Sequence, residues 1–118
     1  METNAIAIRL VELLREGKFE TIYDELFDTD RVRHIEPQSE HFSEVVGVAA
    51  IKEKDALMTA NIASFGNMEV GDPIVAGRHF AIPYKMSFTL KDGTPVNMDE
   101  IILYEVDNGK VVLEQFFY

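Results

Sequence analysis

The sequence predicts a single α+β domain in which helices from the first half of the chain pack on one face of an antiparallel sheet. Two early segments, residues 4–15 and 18–27, have apolar residues at helical spacing. From residue 68 onward the apolar residues alternate with period two, which is typical of strands with one buried face. Helices followed by a run of strands indicate an α+β architecture. The chain of 118 residues contains no internal repeat and is predicted to be one domain, residues 1–118.

Three helices are predicted in the first half of the chain. The first covers residues 4–15 and is followed by Gly17, the residue type that favours the left-handed conformation after a helix end. The second covers residues 18–27, where apolar side chains recur at positions i, i+3, i+4, i+7 and i+8. The third is predicted over residues 47–65 and is expected to end at Gly66-Asn67. Its expected apolar stripe consists of Ile51, Leu57, Met58, Ile62 and Phe65.

The remaining segments are predicted to be strands. A short strand covers residues 32–37, and residues 38–47 after it are interpreted as a connection or as a lid. Residues 68–76 form a strand that is broken by a glycine and a proline, as is typical of a sheet edge. Residues 79–90 alternate without a break between apolar and polar side chains, which predicts one buried face. The last two strands cover residues 96–106 and 110–118.

The turn between the last two strands decides which faces of the sheet Glu100 and Glu114 occupy. A two-residue loop, Asn108-Gly109, would place the two carboxyl groups on opposite faces. A three-residue loop, residues 107–109, with its glycine in a left-handed bulge, would place them on one face as diagonal neighbours. Both registers are compatible with the turn residues alone.

The neighbouring strand favours the second register. The aromatic face of residues 79–90 should meet the apolar face of residues 96–106, because a slip of one residue would expose one of them. This matching requires a three-residue turn over residues 92–94, with Met86 opposite Glu100. We therefore predict three-residue turns at both hairpins, with both glutamates on the helix-covered side. The expected pairs in the last hairpin are Val106 with Lys110, Tyr104 with Val112, Ile102 with Glu114 and Glu100 with Phe116.

Composition limits the possible functions. The absence of cysteine excludes disulfides, thiolate metal sites and cysteine nucleophiles. The net charge is −10 and the basic residues are scattered, so nucleic-acid binding is disfavoured. Arg9, Glu12 and Arg15 leave no continuous apolar run in the first segment, which is typical neither of a signal peptide nor of a membrane span. We expect a cytoplasmic protein that binds neither nucleic acid nor membrane and that uses no cofactor or metal.

The opposite face of the sheet is also informative. It is expected to have an apolar centre and a charged rim, which is typical of a surface that self-associates. We predict a homodimer through this face, and a C-terminal strand with some exposed apolar residues is the alternative. The residues expected at the apolar centre are Ile101, Leu103, Val111, Leu113 and Phe117.

Three motifs carry a resemblance to a known family. HIEP at residues 34–37, Gly47 before the third helix and DEIILYEVDNGKVVLEQFFY at residues 99–118 resemble the SnoaL-like family of the nuclear transport factor 2-like superfamily. The resemblance covers essentially the whole chain. It implies a cone-like, curved antiparallel or mixed sheet (the cystatin-like α+β arrangement) with three N-terminal helices on its concave face, a ligand pocket between them, and a dimer. It implies either acid–base enzymes such as cyclases, isomerases and dehydratases, or binding proteins without catalysis.

Four residues are predicted to carry acid–base chemistry: Glu100, Glu114, His34 and Glu36. Two carboxyl groups in one apolar cavity would raise each other's pKa, so that one can act as a base while the other donates a hydrogen bond. His34 and Glu36 alternate on the short strand and therefore share a face. By the resemblance, Glu36 stands where SnoaL-like chains often place Asp before Pro, and Glu114 where they often place His.

Structural roles for the same four residues stay open at this point. The first alternative is that one glutamate is in contact with solvent at the rim, and the second is that both belong to a structural network of hydrogen bonds. For His34 the alternative is a purely structural role. No HxH, HxxE or DxD spacing supports a metal site. The apolar lining of the pocket is predicted to consist of Tyr23, Met58, Phe65, Met86, Phe88, Ile102, Tyr104 and Phe116.

Two functional hypotheses follow from the sequence. The first is a protein that binds a small hydrophobic ligand and acts as an acid–base isomerase, cyclase or dehydratase on a carbonyl compound. The second is a ligand-binding or dimerisation module of the same fold without catalysis. The placement of Glu100 and Glu114 distinguishes them, because carboxyl groups facing solvent on opposite sides of the sheet would contradict the first hypothesis.

Overall fold

The structure is a computed structural model that describes residues 2–39 and 43–118. Within these residues the chain forms three helices and seven strands. The helices are α1 (Thr3–Arg15), α2 (Phe19–Leu26) and α3 (Val48–Thr59). The strands are β1 (Arg33–Ile35), β2 (Glu44–Val46), β3 (Ile62–Val70), β4 (Ile74–Ala76), β5 (His79–Leu90), β6 (Pro95–Asp107) and β7 (Lys110–Phe117).

Helix α1 ends as its sequence predicts. Gly17 has a φ of 71°, the left-handed conformation that glycine adopts without strain. The amide of Gly17 donates to the carbonyl of Leu14 at 3.0 Å, and the amide of Lys18 donates to the carbonyl of Leu13 at 2.9 Å. This pair of hydrogen bonds satisfies carbonyl groups that a helix end otherwise leaves without partners. The chain then turns directly into α2, whose residues Ile22, Tyr23 and Leu26 are buried.

The predicted third helix was too long. Helix α3 ends at Thr59, and residues 62–70 form β3, which pairs antiparallel with β5 through Ile62 opposite Leu90 and Phe65 opposite Phe88. Pairing with β5 satisfies the backbone groups of this segment, so tertiary context overrides the helical spacing of its apolar residues. Gly66 and Asn67 lie in a bulge of β3 and do not end a helix.

The predicted apolar stripe of α3 was also wrong in part. Leu57 and Met58 are 55% and 42% exposed, whereas Ile51 is fully buried as predicted. The buried side of the helix consists of Val48, Ile51 and Lys54.

One mixed sheet contains all seven strands described. Its order is β2-β1-β7-β6-β5-β3, with β4 pairing separately with β5. All neighbouring pairs are antiparallel except β1 and β7, which run parallel. The sheet is curved and open, and the buried faces of α1, α2 and α3 cover its concave side. Residues 38–47, predicted as a connection, contain the short strand β2, while residues 40–42 lie outside the described part of the chain.

The register of β5 and β6 differs from the predicted one but keeps the predicted faces. Met86 lies opposite Met98, and Glu100 lies opposite Tyr84. A 2.9 Å hydrogen bond from the amide of Leu90 to the carbonyl of Thr94 closes the turn. The loop therefore consists of residues 91–93. Because the shift equals two residues, the aromatic face of β5 still meets the inner face of β6.

The last hairpin has a two-residue loop, so the predicted three-residue loop is wrong. Asp107 pairs with Lys110, and both loop residues are left-handed, with φ of 51° at Asn108 and 74° at Gly109. Two left-handed residues give the turn type that fits the twist of a hairpin. The predicted common face for the two glutamates is nevertheless confirmed, because both are buried on the helix-covered side of the sheet.

A bulge in β7 restores the predicted face. Val106 pairs with Val111, and Glu105 pairs with Leu113, so Val112 has no partner on β6. The extra residue moves Glu114 opposite Tyr104, whereas without the bulge it would have pointed away from the helices. Glu100 and Glu114 are not diagonal neighbours, since Glu100 lies four positions, or about 13 Å, along β6 from Tyr104.

The outer face of the sheet differs from the prediction at one residue. Val111 is fully buried and forms a bridge with Phe27, because the two-residue loop pairs it with Val106 on the inner face of β6. Ile101 and Phe117 are 53% and 48% exposed, and Leu103 and Leu113 are half-buried. That this surface forms a dimer stays a prediction. Among the described residues, no helix is long and apolar enough to cross a membrane.

Candidate functional site

A cavity of about 400 Å³ lies between the helices and the concave face of the sheet. Its walls come from the three helices and from β1, β3, β5, β6 and β7, and most of its lining is apolar. The four residues predicted for acid–base chemistry, Glu100, Glu114, His34 and Glu36, all border it. So do the eight residues predicted as apolar lining: Tyr23, Met58, Phe65, Met86, Phe88, Ile102, Tyr104 and Phe116. Whether any of these residues contacts a ligand stays a prediction.

Glu114 has hydrogen-bond partners on both carboxyl oxygens. The hydroxyl of Tyr104, its partner across β6 and β7, donates to Oε2 at 2.9 Å. Nδ1 of His34 lies 2.8 Å from Oε1. His34 reaches this position because β1 pairs in parallel with β7, with His34 directly beside Glu114. All three side chains are buried, so Glu114 is part of an internal network in which each of its carboxyl oxygens has a partner.

Lys54 connects the two sides of this network, and the sequence analysis missed it. Its side chain is 1% exposed, and Nζ lies 2.9 Å from Nε2 of His34. The same Nζ donates to Oε1 of Glu36 at 3.4 Å. An ammonium group has only donors, so Nε2 is the acceptor and the ring proton of His34 lies on Nδ1, toward Glu114. Lys54 thus provides the positive charge that two buried carboxylates require.

Glu36 is also held on both oxygens. Oε1 accepts from Lys54, and Oε2 accepts from the hydroxyl of Tyr118 at 3.0 Å. Glu36 follows directly after β1, and its backbone amide donates to the carbonyl of Ser43 at 2.9 Å. Glu36 therefore connects the network around Lys54 with Tyr118.

Glu100 differs from Glu36 and Glu114. It is 3% exposed, and neither of its carboxyl oxygens has a hydrogen-bond partner among residues 2–39 and 43–118. Burial raises the pKa of Glu100 to about 7, with a further contribution from the negative charges of Glu36 and Glu114 that Lys54 opposes. A buried carboxyl group without partners is rare and costs free energy, so it calls for an explanation.

Two tyrosines complete the polar surface of the cavity. Tyr84 lies opposite Glu100 in the register of β5 and β6, and its hydroxyl contacts only the sulfur atoms of Met86 at 3.1 Å and Met68 at 3.7 Å among the described residues. Burial, followed by the charge of Glu100, raises the pKa of Tyr84 to about 12, so the hydroxyl keeps its proton. The second tyrosine, Tyr23, donates a short hydrogen bond to Asp55.

Within the described residues, no group of three or more His, Asp or Glu side chains is placed to hold a metal ion. Among the polar groups of the cavity, those around Lys54 form a closed network, whereas Glu100 has no hydrogen-bond partner among the described residues.

A family profile described as the SnoaL-like domain matches residues 1–118. The chain belongs to the SnoaL-like family. A solved protein from Mesorhizobium loti, provisionally assigned as a SnoaL-like polyketide cyclase, is 30% identical to this chain over 100% of both chains, with a TM-score of 0.92. Among curated proteins, no sequence matches this SnoaL-like chain at a significant level.

More distant structures share the fold. A protein of unknown function from Xanthomonas campestris with a cystatin-like fold is 22% identical, covering 99% of this chain and 90% of that chain with a TM-score of 0.81. TerC, co-crystallised with polyporic acid, is 18% identical, covering 99% of this chain and 92% of that chain with a TM-score of 0.76. At these identities the two matches show the cone-like α+β fold of SnoaL-like proteins and no more.

A signal for the missed residue was present in the SnoaL-like sequence. Lys54 follows Ile51 by three positions and Val48 by six, so it lies on the buried side of α3. A lysine in such a stripe is almost never buried without a charged partner. The same reasoning places Asp55, four positions after Ile51, next to the cavity, where burial raises its pKa.

Proposed function

We propose that the protein binds a small hydrophobic carbonyl compound in the cavity and transfers a proton at the carbon next to the carbonyl group. Glu100 is the acid–base group in this proposal. The observation that carries it is the burial of Glu100 in an apolar cavity with no hydrogen-bond partner on either oxygen among the described residues. The reaction class is that of an isomerase, a cyclase or a dehydratase, each of which begins with such a proton transfer.

The other predicted acid–base residues are less suited to this role. Both oxygens of Glu114 and both ring nitrogens of His34 are engaged in the buried network. Glu36 is likewise held by Lys54 and Tyr118. A proton acceptor must be able to reach the substrate, and among the buried carboxyl groups described only Glu100 has no hydrogen-bond partner on either oxygen.

The pKa of Glu100 supports a role in proton transfer near neutral pH. A value of about 7 leaves a large fraction of the carboxylate ionised while making it a stronger base than an ordinary glutamate. The carboxylate takes a proton from the carbon next to the carbonyl and the substrate becomes an enolate. The protonated carboxyl group then returns the proton to carbon, so Glu100 ends the cycle as it began.

The enolate oxygen requires a hydrogen-bond donor, and Tyr84 is suitably placed. It lies directly opposite Glu100, so their Cβ atoms are about 5 Å apart. Its hydroxyl donates only to thioether sulfur among the described residues, and sulfur is a weak acceptor that a carbonyl oxygen can replace. A carbonyl oxygen at Tyr84 would bring the neighbouring carbon toward Glu100.

The size and surface of the cavity fit a small apolar ligand. About 400 Å³ lies within the range of about 300–1,000 Å³ that small-molecule sites occupy. Met86, Met98, Phe88 and Phe116 provide flat or adaptable apolar surfaces in the lining of the cavity. TerC, a protein of the same fold, was crystallised with polyporic acid, which supports the use of this fold for binding an organic ligand.

Exchange of hydrogen for deuterium on a simple ketone tests the proposal. With 2-tetralone in D₂O, the wild-type protein should accelerate deuteration next to the carbonyl, followed by NMR, and the rate should rise with pH through about 7. Glu100→Gln should reduce the rate to that of buffer, whereas Asp99→Asn, which removes an exposed carboxylate of the same strand, should not. Equal rates in the wild-type protein and Glu100→Gln would exclude Glu100 as the base.

The same experiment separates the catalytic hypothesis from a binding module. Thermal shift with 2-tetralone measures binding independently of exchange. A shift without any acceleration of exchange would favour the alternative, a ligand-binding protein of the same fold that catalyses no reaction. The closed network around Lys54 gives this alternative a physical basis, because three of the four predicted acid–base residues are already engaged in it.

We also propose that the protein forms a homodimer through the outer face of the sheet. Ile101 and Phe117 are paired neighbours on β6 and β7, and both are about half exposed. Leu103 and Leu113 extend this apolar surface. Light scattering after size-exclusion chromatography should give twice the chain mass, and Ile101→Lys should give the monomer mass. A monomer in the wild-type protein, or a dimer that persists in the variant, would contradict this proposal.

A further inference from the structure

The unpartnered carboxyl group of Glu100 defines a second class of ligand for the cavity. Its oxygens are acceptors once ionised, and the described residues supply no donor to either of them. Lys54, the cation nearest to the buried carboxylates, already donates to His34 and Glu36. The missing partner of Glu100 is therefore a donor, and a positively charged donor would give the strongest hydrogen bond.

The charges around the cavity favour a cation. Among the side chains lining it, carboxyl groups outnumber ammonium groups, and the exposed ammonium group, Lys52, is already paired with Asp24 at 2.8 Å. Excess negative charge in a cavity with low-dielectric walls attracts cations and repels anions. The lining carboxyl groups are Glu20, Glu36, Asp55, Glu100 and Glu114, and the lining ammonium groups are Lys52 and Lys54.

The walls restrict which cation fits. The described residues contain no group of three or more His, Asp or Glu side chains that could hold a metal ion. The surface next to Glu100 also includes aromatic and thioether side chains, among them Tyr84, Met86, Met98 and Phe116. Aromatic faces attract organic cations, and apolar walls require an apolar ligand body. The matching chemistry is an organic ammonium ion with a hydrophobic group.

We propose that the cavity binds hydrophobic organic amines as ammonium ions, with the carboxylate of Glu100 as their counter-ion. The ammonium group donates to the two oxygens of Glu100, and the apolar part of the amine lies against the aromatic wall. This binding requires no reaction and is independent of the proposed proton transfer. Such amines would compete with a carbonyl substrate for the same carboxylate.

The affinity for an amine must depend on pH, because the ammonium ion pairs only with ionised Glu100. With a pKa of about 7 for this carboxyl group, affinity falls as the pH drops below 7 and levels off above about 8. Each ammonium ion bound at pH 7 releases about half a proton, since roughly half of the carboxyl groups are protonated there. The titratable groups that face Glu100 from the surrounding elements are Glu36, Lys54, Tyr84, Glu114 and Tyr118.

The test compares 2-phenylethylamine with 2-phenylethanol by isothermal titration calorimetry. The amine carries its charge throughout pH 5.5–8.5, and the alcohol has nearly the same shape without the charge. At pH 8 the amine should bind about tenfold or more tightly than the alcohol, and this advantage should shrink steadily below pH 7. Equal affinities for the two compounds at pH 8 would overturn the proposal.

Variants show which residue causes the difference in affinity between the amine and the alcohol. In Glu100→Gln the amine and the alcohol should bind within about twofold of each other, while Asp99→Asn should keep the wild-type difference. An amine advantage that survives Glu100→Gln would overturn the assignment of Glu100. If Glu100→Gln fails to fold, titrations of the wild-type protein with the amine in buffers of different ionisation enthalpy measure the number of protons released on binding, and this number tests the proposal. Release of about half a proton at pH 7 supports the proposal, and no release overturns it.

The outcomes for the two proposals are separate. Amine binding without any deuteration of 2-tetralone would support the ammonium site and leave the protein without the proposed reaction. Deuteration without amine binding would support the reaction and remove the ammonium site.

Discussion

The side-chain nitrogen of Lys54 lies 2.9 Å from Nε2 of His34, and this contact determines how the buried network is organised. Because the ammonium group can only donate, His34 accepts on Nε2 and points its ring proton at Glu114. His34 thus connects a positive charge on α3 with a carboxylate on β7. Hydrogen bonds at both ring nitrogens fix the orientation of His34 between Lys54 and Glu114.

Replacing Lys54 with methionine should strongly destabilise the protein. The substitution keeps most of the side-chain volume but leaves Nε2 of His34 and Oε1 of Glu36 without their donor in a buried site. Removing one partner of a buried ion pair typically costs about 3–5 kcal/mol. Urea unfolding at pH 7 measures this loss. Lys52→Met is the matched control, since Lys52 lies two positions earlier on α3 and pairs with Asp24 at the surface, where the loss of stability should be far smaller.

Glu100 should make the stability of the protein depend on pH in a particular direction. The folded pKa of about 7 lies above the unfolded value of 4.5, so the folded state binds more protons between these two values. Stability from this group is fully present below pH 4.5 and is lost as the pH rises through about 7. Relative to Glu100→Gln, which cannot ionise, the wild-type protein should lose about 1–3 kcal/mol between pH 4.5 and pH 8.

Urea unfolding of the wild-type protein and Glu100→Gln at several pH values measures this difference. Asp99→Asn serves as the control for removing one carboxylate from β6, because Asp99 is exposed. A constant difference between the wild-type protein and Glu100→Gln from pH 4.5 to pH 8 would show that the carboxyl group titrates normally in the folded protein.

The hydroxyl groups of Tyr104 and Tyr118 should differ in their contribution to stability. Both donate to a glutamate of the network, at 2.9 Å and 3.0 Å, but Tyr104 is buried and Tyr118 is about half exposed. Tyr104→Phe leaves one oxygen of Glu114 without a donor at a buried position, where water does not take the place of the hydroxyl. The free energy of unfolding should fall by about 1–3 kcal/mol. Tyr118→Phe should cost less than about 1 kcal/mol, because water can reach Glu36. Equal losses in urea unfolding would contradict this assignment.

The helices and β5 could be predicted because their signals are local. The spacing of apolar residues in α1 and α2, and the unbroken alternation of β5, require no knowledge of the rest of the chain. The end of α3 could not be predicted in the same way. Residues 62–65 continue a helical spacing, and only their pairing with β5 makes them a strand.

The site was predictable in its carboxyl groups but not in how they are connected. The inner face of β6 already indicates that Glu100 is buried, whereas the contacts of His34 depend on parallel pairing between strands that are 80 residues apart in sequence. No local pattern specifies such a pairing. Neither of the two turn types considered for the last hairpin included the bulge within β7 at Val112, which depends on how the whole strand fits against its neighbours.

The bulge at Val112 leads to a prediction about insertions and deletions in β7. Val112 has no partner on β6, so deleting it makes the pairs of Val111 and Leu113 adjacent and leaves Glu114 opposite Tyr104. The deletion should cost about 1.5–3 kcal/mol, the contribution of one buried valine side chain. It should keep the contact of Glu114 with His34, visible as a downfield NMR signal from the hydrogen-bonded ring proton.

Insertion of one alanine after Leu113 is the counterpart of the Val112 deletion. It shifts Glu114 by one residue and turns it away from the helices, because side chains alternate between the two faces of a strand. The insertion should abolish the NMR signal of the His34 ring proton and leave that histidine without its carboxylate, at a cost above about 3 kcal/mol. If the deletion also abolished this signal, the bulge itself, and not the pairing register, would position Glu114.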